Sequence, residues 1–220
     1  MKRGMIVLGL SALLAAPATA QWFGMPMWNN PKGGTGITIN GDFAKPDSTY
    51  GKGTVIGARG ALGLGNLTIT AGLASDKPEG AGSNSLTSVG ANVAFRVIGG
   101  SLIPIALNLQ GGAAKTSCSG CNSVTTAIAA VGISVNLPTP GLNIEPYLSP
   151  GLRYNKVSGG GNESDFGFAL GVNVGLGMLG FHAAYDYQKT KAGGVYGATA
   201  GHLSTIGLGA HVALKAPVGM

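Results

Sequence analysis

Charge is scarce in this 220-residue chain: Asp, Glu, Lys and Arg make up only 10% of it, aromatic residues 6%, and there are two cysteines. So little charge beside 45% hydrophobic residues excludes an ordinary disordered protein, which shows the reverse balance. Two cysteines are too few for a disulfide-built scaffold or a four-thiolate zinc site. The 40 glycines and 11 prolines follow no Gly-X-Y period, which excludes a collagen. Past the N-terminus no apolar run approaches the roughly 18 residues a membrane helix needs. The longest, around Ala127 to Val135, is broken by Gly132 and Ser134. The apolar residues are dispersed, and their spacing has to say where they go.

The first residues carry an address. Lys2 and Arg3 precede an apolar stretch from Met5 to Ala16, followed by Pro17 and Ala18-Thr19-Ala20 ahead of Gln21. This reads as a cleaved secretory signal peptide over residues 1–20. Residues 21–34 hold Trp22, Phe23, Met25, Met27 and Trp28, and are expected to form a periplasmic or interfacial segment. Without Lys2 and Arg3 the chain keeps 12 basic residues against 8 acidic, too small and scattered an excess for a nucleic-acid partner.

From Thr35 onward the pattern alternates with period 2, the mark of strands with two unlike faces. Between Asp165 and Gly177 one face carries Phe166, Phe168, Leu170, Val172, Val174 and Leu176, and the other Gly167, Ala169, Gly171, Asn173 and Gly175. The same reading predicts ten strands, near 35–45, 53–64, 67–75, 86–98, 102–114, 124–137, 142–156, 164–177, 180–189 and 202–214. Short turns at 65–66, 99–100, 138–141 and 177–180 alternate with long polar loops at 46–52, 76–85, 115–123, 157–163 and 190–201. All long loops therefore lie at one end. Pro146 and Pro150 predict bulges or distortion in the seventh strand.

An up-and-down sheet with one apolar face must close or be covered. The second face is mostly Gly, Ala, Ser, Thr and Asn, too poor in charge for a water-exposed surface. An all-β, up-and-down antiparallel transmembrane barrel over residues 35–214 is expected, with a tail at 215–220. It has ten strands, or eight if 53–64 and 67–75 form a hairpin outside the wall. Apolar residues face lipid and small polar ones the lumen. Strand-borne Asp42, Arg59, Arg96, Glu145, Arg153 and Asp186 share the lumen parity, and Arg96 with Glu145, and Arg153 with Asp186, are expected to pair. Outward Phe43, Tyr154, Phe166, Tyr185 and Tyr187 gather near the long-loop end and Phe181 at the other, as in interfacial girdles.

Three groupings could carry chemistry. Cys118 and Cys121 form a C-x-x-C in a long loop with no α/β unit around it, read as a disulfide-closed loop. His182 and His211 lie symmetrically about the ninth hairpin and should face each other in the lumen, with Glu145 at a similar height. A two-His-plus-carboxylate site is thereby conceivable, although polar pairing is the plainer reading and no metal is assigned. His202, Ser204 and Asp165 border the long-loop rim, but no spacing marks them as a catalytic set.

With the signal peptide ending Ala18-Thr19-Ala20, the alternating strand Ile144-Glu145-Pro146-Tyr147-Leu148-Ser149-Pro150-Gly151-Leu152-Arg153-Tyr154 and the closing strand Thr205 to Leu214, the chain resembles small outer-membrane β-barrel proteins of the OmpA/OmpW-like, opacity-protein type. The resemblance covers about residues 35–214. It implies an outer-membrane location surrounded by outer-membrane lipid, insertion by the barrel assembly machinery and periplasmic termini, but no single activity. It departs at the last strand, where Val212 and Leu214 stand in place of a closing aromatic. The expected protein is a non-enzymatic, cofactor-free, monomeric barrel, a structural surface protein or a narrow passage for small solutes. An adhesin or ligand binder acting through the long loops is the alternative, and a secreted soluble barrel binding an apolar ligand is a third.

Overall fold

A computed structural model describes residues 34–47, 52–79, 84–99, 103–195 and 200–214. The expected signal peptide, all of the 21–34 segment except Gly34, and the 215–220 tail lie outside the described residues. Among the described residues all regular structure is strand: β1 Gly34–Pro46, β2 Gly53–Gly65, β3 Leu67–Pro78, β4 Leu86–Ile98, β5 Ile105–Ser117, β6 Val124–Val135, β7 Leu137–Thr139, β8 Leu142–Val157, β9 Asn162–Leu176, β10 Leu179–Thr190 and β11 Gly201–Leu214.

Every neighbouring pair is antiparallel, in the order β6-β5-β4-β3-β2-β1-β11-β10-β9-β8, and β6 pairs with β8 to close the ring. The three-residue β7 keeps the register of β6 against β8, with Ile133 opposite Leu148 and Leu137 opposite Ile144, so it is the end of the same wall strand. The barrel therefore has ten strands. The eight-stranded alternative fails because β2 pairs along its length with β1 and β3, which puts both strands of that hairpin in the wall.

Two local departures from the periodicity have physical causes. The fifth strand starts at Ile105, three residues later than expected, because Pro104 has no N–H to donate to a ladder. The carbonyl of Pro104 instead accepts from the Asn136 backbone N–H at 2.6 Å. Pro146 and Pro150 are both held inside β8, whose ladder to β9 runs unbroken from Asn143 to Lys156. The gaps fall on the other side: the β6–β8 ladder skips from Ala130–Gly151 to Ile133–Leu148, and the next break, beside Pro146, divides β6 from β7.

The faces are sorted as period 2 demands. Ile39, Ile56, Leu73, Val89, Leu109, Leu152, Leu170 and Ile206 point outward and are exposed, while Asn92, Asn108, Asn155, Glu145, Asp186 and Gln188 are buried within. A soluble barrel would bury the first set and expose the second. This sorting is the reverse of what the secreted apolar-ligand binder requires: among the described residues small and polar side chains fill the interior.

Candidate functional site

The interior is where the described chain buries its ionisable groups, and its layout follows from register. Asp42 on β1 lies opposite Gly209 on β11, which lies opposite His182 on β10. His182 in turn faces Asn173 on β9, and Asn173 faces Glu145 on β8. One inward row thus reads Glu145, Asn173, His182, Gly209, Asp42 around five strands.

Along it the hydrogen bonds are nearly continuous. Ser134 Oγ donates to Glu145 Oε1 at 2.8 Å, and Asn173 Nδ2 to Glu145 Oε2 at 3.3 Å. His182 Nε2 donates to Asp42 Oδ1 at 2.6 Å. Arg59, one row away on β2, meets the same carboxylate with a two-pronged fork, Nε to Oδ2 at 2.8 Å and Nη2 to Oδ1 at 2.7 Å. Such a planar bidentate pair is the strong form of an ionic hydrogen bond. Nearer the long loops, Arg153 grips Asp186 with Nη1 at 2.8 Å and Nη2 at 2.6 Å, and Nη1 also donates to the Tyr187 carbonyl at 3.1 Å.

Bulky inward groups fit because their neighbours are glycines. A Cβ on Gly209 would collide with the His182 ring, one on Gly180 with His211, one on Gly72 with the Arg59 stem, and one on Gly167 with the Arg153 guanidinium. Tyr147 is almost fully buried, with its hydroxyl 2.5 Å from where a Gly171 Cβ would stand. The small-residue face that the sequence displays is therefore a set of sockets, alternating with large side chains as a filled barrel requires.

The structure corrects several expectations. The ion pairs found among the described residues do not include the expected one of Arg96 with Glu145: Arg96 keeps its inward parity but sits half-buried at the short-turn mouth, where Nε donates to Asn66 Oδ1 at 3.1 Å. The turn that carries Asn66 supplied an acceptor closer than a carboxylate three strands away. His182 and His211 do face each other, ring centroids 5.9 Å apart, but the carboxylate bonded to His182 is Asp42, with Asn173 standing between His182 and Glu145. Among the described residues no group of three or more His, Cys, Asp or Glu is arranged to hold a metal ion.

At the rim, Ser204 Oγ donates to Asp47 Oδ2 at 2.9 Å and His202 Nε2 lies 3.8 Å from the same oxygen, so the hydroxyl faces a carboxylate and not an imidazole. Asp165 is elsewhere, accepting from Gln188 Nε2 at 3.0 Å. Cys118 and Cys121 are joined by a disulfide between β5 and β6.

Two inward acids that the periodicity assigns to loops, Asp76 and Glu163, are buried near the long-loop end beside Asp165. Glu163 accepts the backbone N–H of Lys191 at 3.1 Å and of Val195 at 2.6 Å, which ties residues 191–195 to the inward face of β9. Its parity with Asp165 was the available signal. At the opposite end a cavity of about 330 Å³ opens to the short-turn side, lined by Thr38, Asn40, Thr68, Asn143, Glu145 and His211 among others.

A closed antiparallel wall, apolar outside and packed with hydrogen-bonded polar groups inside, defines a β-barrel of the outer-membrane type. No protein-family profile matches the chain, and no curated protein matches it. Among solved structures it is similar to a bacterial polysaccharide outer membrane secretin, at 10% identity and a TM-score of 0.50, over 86% of this chain and 67% of that one. It is similar also to the beta domain of the Bordetella autotransporter Brka, at 13% identity and a TM-score of 0.50, over 83% of this chain and 100% of that one. At these identities the likeness is one of fold.

Proposed function

We propose that this chain is a non-enzymatic structural surface protein of the outer membrane, of the OmpA/OmpW-like, opacity-protein type, whose lumen is closed by its own ion pairs. The observation that carries the reading is the middle of the barrel. Arg59, Asp42 and His182, Tyr147, and Arg153 with Asp186 are all buried there, and the charged groups among them are spent on one another. A solute passage would leave lumen-lining side chains wet. The narrow-channel reading therefore gives way, in this proposal, to a plugged wall that displays its long loops outside.

Delivery belongs to the same reading. An exported chain of this shape reaches the bilayer through a cleaved signal peptide and the barrel assembly machinery, and stands in lipid as a monomer, since closure leaves no free strand edge. Its contacts outside the wall are outer-membrane lipid and whatever extracellular ligand the loops meet.

Planar-bilayer recording of the purified protein tests it. The expected trace carries no steady conductance; stable single-channel steps from the unmodified chain would replace the plugged barrel with a passage.

A further inference from the structure

The outer face is apolar along most of its height, but not at the long-loop end. Each of the five strands that climb towards the long loops finishes with an outward, exposed lysine: Lys45 on β1, Lys77 on β3, Lys115 on β5, Lys156 on β8 and Lys189 on β10. The strand-borne carboxylates take the other parity, and Asp76, Glu163 and Asp165 at the same end are buried inside. At the short-turn end the outward positions of the described residues, such as Leu64, Phe95, Leu176, Leu179 and Phe181, are apolar. The basic band is thus confined to one rim.

The register makes one part of the band denser than the rest. Lys115 lies opposite Thr125 on β6, and Thr125 lies opposite Lys156 on β8. Thr125 is exposed and outward, so two ammonium groups flank one hydroxyl along a single row. Two inter-strand steps separate the lysine backbones by about 10 Å, within which their flexible stems can converge on one anion. The adjoining loops, 118–123 and 158–161, contain no acidic residue, whereas Glu79 follows Lys77 and Asp47 follows Lys45. Among the described residues no ion pair engages Lys115 or Lys156.

We propose that this lysine girdle binds phosphate groups on the head groups of the lipids that surround the barrel, with Lys115, Thr125 and Lys156 as its principal site. The inference rests on the membrane-barrel reading above. Outward lysines directly above a lipid-facing apolar wall stand at head-group level, where a phosphate is the anion within reach. The lysines are the charge, and the Thr125 hydroxyl is the donor that fixes position.

The test uses the full protein purified in neutral maltoside micelles, with native mass spectrometry as readout. Diphosphorylated lipid A is one probe and its dephosphorylated counterpart the other. The expected result is at least a ten-fold preference for the phosphorylated lipid, lost in K115Q/K156Q and retained in K115R/K156R. Excess inorganic phosphate should not displace the lipid. Equal retention of the two lipids, unchanged retention in K115Q/K156Q, or displacement by inorganic phosphate would overturn the proposal.

Each sample is also run unheated and boiled in SDS. A heat-dependent mobility shift without phosphate preference sinks the girdle alone. Absence of the shift in the unmodified protein sinks the membrane barrel, and the girdle with it.

Discussion

The imidazole of His182 occupies the space that a side chain on Gly209 would need. Gly209 is the residue of β11 that separates His182 from Asp42, so its bare backbone is what allows a hydrogen bond of 2.6 Å to pass over an intervening strand. The pair spans the ladder between β1 and β11, and ties the interior across the seam where the first and last described strands meet. Replacing Gly209 with Ala should displace His182 and cost about 1–3 kcal/mol by overpacking. Urea titration in micelles, followed by circular dichroism of the strands, would read the loss. Gly41→Ala, on the neighbouring β1 where a Cβ would meet open space, is a useful comparison.

Arg153 and Asp186 should show the asymmetry of a buried ion pair. Arg153→Ala removes the guanidinium from a fully enclosed Asp186, at a cost of about 3–5 kcal/mol, whereas the double change R153M/D186L should recover much of that loss. A double-mutant cycle on the same unfolding transition checks it. Equal destabilisation of the single and double variants would mean that the guanidinium works through its packing over Gly167 and not through its charge.

The orientation of the faces has its own measurement. Leu208 is exposed near the middle of β11, and Leu208→Arg should cost about 2–4 kcal/mol in a bilayer. On a water-facing surface the same change would be close to neutral, so folding yield into phosphatidylcholine vesicles separates the two cases.

Shortening the plug should open it. Arg59→Ala together with Tyr147→Ala removes two of the large side chains from the closed section and is expected to give discrete conductance steps that the unmodified protein lacks. A silent double variant that still shows a heat-dependent mobility shift would place the barrier elsewhere in the lumen.

Glu163→Ala should release the backbone of Lys191 and Val195 without opening the wall. Trypsin cleavage after Lys191 is expected to accelerate severalfold, while the mobility shift in SDS stays unchanged. An unaltered cleavage rate would show that the loop is held by other contacts.

Much of this barrel is legible because its two faces use different residue sizes. Gly167, Gly171 and Gly175 alternating with Phe168, Leu170, Val172 and Val174 fix both the strand and its parity, and alternation of long and short connections fixes the direction of every strand. The Arg153–Asp186 pair is legible from parity and height alone. What escapes is anything that depends on stagger between distant strands. Nothing local tells that Asp42 meets both Arg59 and His182, since that contact needs the tilt of a closed wall and the ladder joining β1 to β11. Arg96 misled for the opposite reason: its partner Asn66 lies in a turn, where periodicity carries no signal. Asp76 and Glu163 were read as loop because the strands run on past the lipid-facing residues.

The ladder that seals the wall sets Ile37 opposite Leu214, so the first and last described strands are mutual neighbours. A sheet of this kind cannot be completed in order of synthesis, because β1 has no second partner until β11 has emerged. Until then the chain presents two unsatisfied backbone edges and an outer coat of Leu, Ile, Val and Phe, the combination most prone to intermolecular pairing. The transit from ribosome to bilayer is consequently its most hazardous interval. Chaperone depletion is expected to reduce the yield of this protein before it affects chains whose neighbouring strands can finish their pairing early.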